Sequence, residues 1–208
     1  MYESYVGVLL PPLMGYIISQ VYCYMNGKSF YKNMGSKKQS FLNHTEYKEL
    51  MMKVFYNVRN FGIGFMVMST IKPNIVDMEW YNEILHMMCY SLIIEFTFYW
   101  IHRWMHMWKG VYVILHQTHH LETEPSPIDS YVLSVGEALL VVLSGSMPDI
   151  LGFPITYRGV FFVKMCTMVL SILNHGGWDG YHARHHKFLR GNYGGSYNVW
   201  DYVFGTVY

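Results

Sequence analysis

His102-Arg-Trp-Met-His106, His116-Gln-Thr-His119-His120 and His182-Ala-Arg-His185-His186 decide how this chain reads, with His175 just ahead of the third box. On a helix, positions i, i+3 and i+4 share one face, so the spacing predicts that each box aims its imidazoles at a single point. Of eleven histidines only His44 and His86 fall outside the pattern. A structural zinc takes about four ligands, and nine are surplus to it. Imidazole suits zinc, copper, iron and nickel alike, so ligand type alone names no metal. There is no His-Glu-x-x-His stretch of the metalloprotease kind. Nine converging nitrogens therefore predict a dinuclear centre, and the absence of hydrolase signatures favours redox chemistry; two iron ions are the expected occupants, and zinc can substitute for them in a purified sample.

Composition sets the medium. The chain has 208 residues, 52% hydrophobic and 18% aromatic, with only 14% charged, against roughly 25% charged in soluble domains. A formal net charge of +1 implies no nucleic-acid partner. Cys23, Cys89 and Cys166 sit in apolar segments without paired or metal-type spacing, and read as buried thiols. Residues 5–25 are apolar, with no basic stretch before them and no small-residue cleavage site after, which predicts an anchor interrupted at Pro11-Pro12.

Five segments are candidates to enter a bilayer: about 5–25, 54–71, 84–101, 129–147 and 159–174. Four carry a polar residue (Arg59, Glu95, Glu137 and Lys164 in turn). The last two are expected to form a re-entrant or tilted hairpin turning from Met147-Pro148-Asp149 through Pro154. Loop 26–53 holds six lysines against two glutamates, which places it in the cytosol by the positive-inside bias. Counting spans from there delivers every histidine box to that same side. A glycan on the Asn43-His44-Thr45 acceptor pattern would invert this topology. The expected fold is all-α: an integral membrane helical bundle with a cytosolic, histidine-rich di-metal cap. Residues 1–83 supply N-terminal membrane helices and the lysine loop, and residues 84–208 the histidine-box region, in one integrated domain.

Around the boxes, Glu95, Tyr99, His102 and His106 fall on one helical stripe, so Glu95 is placed to accept an imidazole N–H directly or by relay. Trp100, Trp104 and Trp108 form a second stripe that reads as an interfacial belt. In His175-Gly-Gly-Trp-Asp179, a helical backbone would put Asp179 on the face of His175, as an orienting partner or an oxygen ligand. Turn residues from Asn192 onward are expected to fold the tail under the site, with Asp201 available to orient a histidine.

Taken as a set, these residues resemble the fatty acid hydroxylase / sterol desaturase superfamily of integral membrane di-iron oxygenases. The resemblance rests on Glu95-x-x-Phe-Tyr-Trp-x-His102-Arg-x-x-His106, the second and third boxes, Asn192-Tyr-Gly and Trp200-Asp-x-x-Phe-Gly-Thr206, and covers about residues 84–208. Three residues between the first two histidines are more similar to the sterol-oxidising branch. The resemblance implies hydroxylation or desaturation of a membrane lipid, a sterol before a fatty acyl chain. It implies O2 as oxidant and electrons from a separate cytochrome b-type protein and its reductase, with the enzyme in the endoplasmic reticulum facing the cytosol. Two readings stay open beside it: a fatty acyl desaturase or hydroxylase, and a catalytically silent metal- and lipid-binding membrane protein. The chain departs from the family where a His-Pro-x-Glu stretch is common and it has Ser134-Val-Gly-Glu137, and in the short interval from His175 to His182.

Overall fold

The computed structural model describes residues 44–176 and 180–208, with Met14, Ile17, Ile18 and Val21. The expected anchor, most of the lysine loop, the Asn43 acceptor and Asp179 lie outside the described residues. Among the described residues six helices carry the architecture: α1 (His44–Met68), α2 (Trp80–Met107), α3 (Val135–Ile150), α4 (Tyr157–His175), α5 (Tyr181–Phe188) and α6 (Val199–Val203). Two-residue strands β1 (Asn74–Ile75) and β2 (Pro154–Ile155) pair in parallel and tie the α1–α2 connection to the α3–α4 turn. The class is all-α, as the spacing predicts.

Helices α1 to α4 pack with an inverted distribution of polarity. Along α2 the exposed stripe is Ile84, Leu85, Met88, Leu92, Phe96, Trp100 and Trp104, whereas the buried face includes Glu83, Tyr90, Glu95, Tyr99 and His102. Helix α1 does the same, exposing Met51, Phe55, Val58 and Met66 and burying Lys53, Asn57 and Asn60. In water such a helix would turn over; burial of apolar surface drives the opposite arrangement. The apolar core is correspondingly small, with Tyr90, Ile94, Ile155 and Val163 in one cluster and Ile128 with Ile172 in another.

Among the described residues one helix, Trp80–Met107, is long and apolar enough to cross a membrane. At 28 residues it spans about 42 Å. Of the other expected spans, 159–174 lies within α4, while 54–71 and 129–147 only overlap α1 and α3, and charged side chains or shorter length intervene. Helix α3 has 16 residues, short of the roughly 20 that a full span needs. The chain reverses between α3 and α4, which pack on α2 rather than on each other, and the turn does not begin at Met147. Helix α3 continues through Pro148, and the reversal is confined to residues 151–156. Pro148 lacks one N–H near the helix end, yet its carbonyl still accepts from Phe153 N at 2.9 Å, so the helix tolerates it. Gly152, at φ +68°, then makes the bend in a left-handed conformation open to glycine.

The stretch between α2 and α3 is clamped by α1. Asn57 Nδ2 donates to the Ile128 carbonyl at 3.0 Å and Asn60 Nδ2 to the Tyr131 carbonyl at 2.8 Å. Lys53 Nζ lies 2.8 Å from Asp129 and 3.1 Å from Glu122. Burial alone would depress the Lys53 ammonium, but these two carboxylates hold it above its ordinary range.

Candidate metal centre

All nine box histidines meet at one end of the bundle and divide into two sets. His102, His106, His116, His120 and His185 form one, and His119, His175, His182 and His186 the other; within each, the candidate ligand nitrogens all lie within 4.8 Å of one another. His86 belongs to neither. His86 Nδ1 instead donates to the Pro154 carbonyl at 2.8 Å.

The backbone under the boxes explains part of the division; the regular helix α5 also divides its box, His185 going to the first set and His182 and His186 to the second. His102 and His106 sit one turn apart on α2, and His182, His185 and His186 lie on α5. The second box is not α-helical, contrary to the one-face expectation. It runs from a π-helical turn, Tyr112–His116, into a 3-10 turn, His119–Leu121, with His120 at φ −91°, ψ 18°. A regular α-helix would send His116, His119 and His120 to one side. The irregular turn instead sends His116 and His120 to the first set and His119 to the second, and π turns recur at functional sites for such reasons.

Most rings are fixed from behind by groups that only accept. His102 Nδ1 donates to the Tyr193 carbonyl at 2.8 Å, His185 Nδ1 to the Gly191 carbonyl at 2.7 Å and His175 Nδ1 to the Ser171 carbonyl at 2.8 Å. His186 Nδ1 donates to the Glu122 carbonyl at 3.1 Å, and His116 Nδ1 to Glu137 Oε1 at 2.6 Å. A proton held on Nδ1 leaves Nε2 as a bare lone pair aimed into the cluster, which is what a metal ligand requires.

The inner nitrogens crowd together. Nε2 of His120 lies 2.9 Å from that of His116 and 3.2 Å from that of His185; Nε2 of His175 lies 3.2 Å from that of His119 and 3.1 Å from that of His182. One N–H on His120 can serve only one of two facing lone pairs, and the single Nε2 lone pair of His175 can accept only once in its ring plane. His102, His106 and His186 each bury an Nε2 with no hydrogen-bond partner. Around a cation with bonds of about 2.0–2.1 Å, neighbouring imidazole nitrogens sit about 3.0–3.4 Å apart. The rings fit a cation at the centre of each set.

Electrostatics agree. Burial first, then mutual repulsion among the rings, holds His116, His119, His120, His182, His185 and His186 well below the usual imidazole range. They are neutral near pH 7 and ready to coordinate.

Glu95 shares the stripe of His102 but touches no imidazole. Its buried carboxylate accepts from the backbone N–H groups of Ser196 at 3.1 Å, Gly195 at 3.3 Å and Tyr197 at 3.4 Å. It thereby holds the loop whose Tyr193 carbonyl orients His102. Asp201 grips the same loop, accepting from Tyr193 N at 2.8 Å and Gly194 N at 2.7 Å. Gly191, at φ +63°, is required beside it, because a Cβ would sit 2.6 Å from the Thr206 carbonyl. Sequence reasoning did not find the Tyr193, Gly191, Glu122 and Ser171 carbonyls, since a backbone acceptor has no residue signature. The role of Glu137 had a signal, its carboxylate at the place where the family keeps one. Ser134 stands where the family often has histidine, and its Oγ accepts from Glu137 N at 3.1 Å, capping the helix that presents Glu137.

The profile of the fatty acid hydroxylase family matches residues 87–206, more than half of the chain, and spans all nine histidines. The chain belongs to the fatty acid hydroxylase family. Its relatives lie in the sterol-oxidising branch. A Delta(7)-sterol-C5(6)-desaturase of Nicotiana tabacum is 29% identical over 150 residues, 64% of this chain and 53% of the relative. A Delta(7)-sterol 5(6)-desaturase of Eremothecium gossypii is 25% identical over 201 residues, 81% of this chain and 54% of the relative. A methylsterol monooxygenase of Aspergillus fumigatus is 29% identical over 136 residues, 55% and 44% respectively. The chain thus spans about half the length of these relatives. No solved structure matches it.

In this member of the family, a cavity of about 410 Å³ opens from the histidines into the bundle. His102, His116, His119, His175 and His182 form one end, and Phe61, Phe65, Val141 and Met168 are among the apolar side chains lining it. Its size falls within the roughly 300–1,000 Å³ of small-molecule sites.

Proposed function

We propose that the chain is a membrane-bound di-iron oxygenase that hydroxylates or desaturates a lipid, a sterol in the first instance, using O2 and electrons from a separate cytochrome b-type carrier and its reductase. One observation carries the reading: two abutting all-imidazole sets line an apolar cavity. The names of the sterol-oxidising relatives support the substrate class. The exposed apolar stripes of α1 and α2 support a bilayer around the bundle. The lysine-rich loop supports a cytosolic site, and we place the enzyme in the endoplasmic reticulum.

Iron bound at the two sets would supply reductive activation of O2 and removal of hydrogen from an unactivated C–H bond. The chain supplies the rest. Neutral rings, five of them fixed at Nδ1 by backbone carbonyls or Glu137, offer Nε2 lone pairs without net charge of their own. Apolar walls keep water from the reacting carbon and lay the lipid against His102, His119 and His182. Hydroxylation consumes dioxygen, two electrons and two protons, giving an alcohol and one water; desaturation gives an alkene and two waters. Cells expressing His119→Ala are expected to lose one oxidised lipid species that wild-type cells make, with bound iron reduced in the purified variant. An unchanged lipid profile at normal expression overturns the assignment.

A further inference from the structure

Eleven residues before His175 on α4, Lys164 lines the other end of the cavity. Its ammonium donates to Asp149 Oδ2 at 2.8 Å, and the Tyr90 hydroxyl donates to Asp149 Oδ1 at 2.5 Å. The Lys164 and Asp149 side chains are 15% and 2% exposed. A buried ion pair is a poor way to gain stability, because apolar residues of similar volume do as well or better. One hydrogen bond to Asp149 also leaves the ammonium with further donors. Thr167, one turn along, lines the cavity too, and its buried Oγ1 has no hydrogen-bond partner. Gly145 lines this region as well, and a Cβ there would meet nothing within 4 Å, so the space is open.

We propose that Lys164, balanced by Asp149, is the polar anchor of the cavity and receives the uncharged hydroxyl end of a lipid. The inference rests on the cavity being the lipid site of the proposed oxygenase. Charge selects the hydroxyl over a carboxylate. Asp149 already neutralises Lys164, so an incoming anion would meet that carboxylate as well as the ammonium. A hydroxyl accepts from Lys164 and exchanges a hydrogen bond with Thr167 without adding charge.

Position then selects the reacting carbon. Eleven residues of helix from Lys164 to His175 rise about 16 Å, and the twelve from Tyr90 to His102 about 18 Å. A lipid anchored at Lys164 presents to the histidines a carbon on the order of 15 Å from its hydroxyl. In a sterol that carbon belongs to the side chain, far from the ring bearing the hydroxyl. The C5(6) position printed in the name of the tobacco relative lies close to that ring.

The test is equilibrium binding of radiolabelled cholesterol, cholest-5-ene (the same hydrocarbon skeleton without the hydroxyl) and palmitate to the purified full chain in detergent. Wild type is compared with Asp149→Asn/Lys164→Met, which keeps the pair neutral and leaves Tyr90 an acceptor. The ratio of cholesterol to cholest-5-ene affinity, compared between the two proteins, cancels partitioning into detergent. That ratio is expected to fall about tenfold in the double variant, the worth of one hydrogen bond, with cholest-5-ene binding retained as the sign of an intact cavity. Gly145→Leu fills the open space and is expected to weaken both sterols at least tenfold. An unchanged ratio, tighter binding of palmitate than cholesterol, no binding of cholesterol to wild type, or sterol binding indifferent to Gly145→Leu would each overturn the anchor. Binding needs no turnover. A wild type that binds with the expected ratio yet oxidises no lipid removes the oxygenase reading and leaves the anchor standing.

Discussion

Glu137 gives the sharpest handle on whether the two imidazole sets hold separate ions. Its Oε1 receives the Nδ1 proton of His116 at 2.6 Å, with both side chains almost fully buried. His116 belongs to the five-histidine set alone. A carboxylate behind a ligand imidazole fixes its tautomer and raises its basicity, and losing such a partner typically costs about 10–100-fold in metal affinity. Glu137→Gln retains an oxygen acceptor but loses the charge, so affinity at that set should fall about tenfold, about 1.4 kcal/mol. Glu137→Ala leaves the Nδ1–H buried without a partner and should fall about 100-fold, about 2.7 kcal/mol. Glu137 hydrogen-bonds no ring of the four-histidine set, so the affinity of that set should stay within about twofold. The assay is iron content after dialysis against graded chelator, read as two steps. Wild type should release two ions over one range, whereas Glu137→Ala should release one early and keep the other. Loss of both ions together, or of neither, refutes the assignment of His116 and Glu137 to a distinct site.

Acid should destabilise the metal-free protein. Six histidines of the second and third boxes have folded pKa values below the unfolded value of about 6.5, so the unfolded chain binds more protons below that pH. Their contribution is complete above about pH 6.5 and falls as pH drops, by up to about 1.4 kcal/mol per pH unit for each ring. Thermal unfolding midpoints between about pH 7.5 and about pH 5.5 test this, and a flat profile would contradict it. Glu95→Gln turns an amide NH2 toward the backbone N–H groups of Gly195, Ser196 and Tyr197; it should cost about 2 kcal/mol and weaken iron at the set containing His102 several-fold. Asn192, at φ +52°, joins Tyr181 and Tyr208 through three side-chain hydrogen bonds. Asn192→Ala should cost about 2–4 kcal/mol in denaturant unfolding, and Asn192→Gly about 1 kcal/mol less because glycine accepts the left-handed backbone. Equal losses would remove backbone strain from the account.

Much of the site was legible before any coordinates. Histidine spacing alone singled out nine ligand candidates, and the structure brings all nine together. Helical periodicity placed Glu95 beneath His102. It could not show that the carboxylate would choose backbone donors 100 residues away over an imidazole, because that loop arrives only through tertiary packing. The turn between α3 and α4 was misplaced for a local reason. Pro148 reads as a breaker, yet near a helix end it removes a single hydrogen bond and the helix absorbs it. The Lys53–Asp129 clamp was hidden for want of any rule linking a lysine on one helix to a turn beyond the next.

What the chain wrote in its order of residues was chemical capacity: neutral nitrogen donors in number, apolar helices to surround them, and a carboxylate kept where a histidine needs one. The sharing of ligands was settled by packing. His116 and His120 join His102, His106 and His185, while His119 crosses over to His175, His182 and His186. Periodicity puts a box on one helical face without assigning its centre: the regular helix α5 gives His185 to one set and His182 and His186 to the other. Which ring serves which centre depends on the π turn in the second box and on distances between segments that no local spacing encodes.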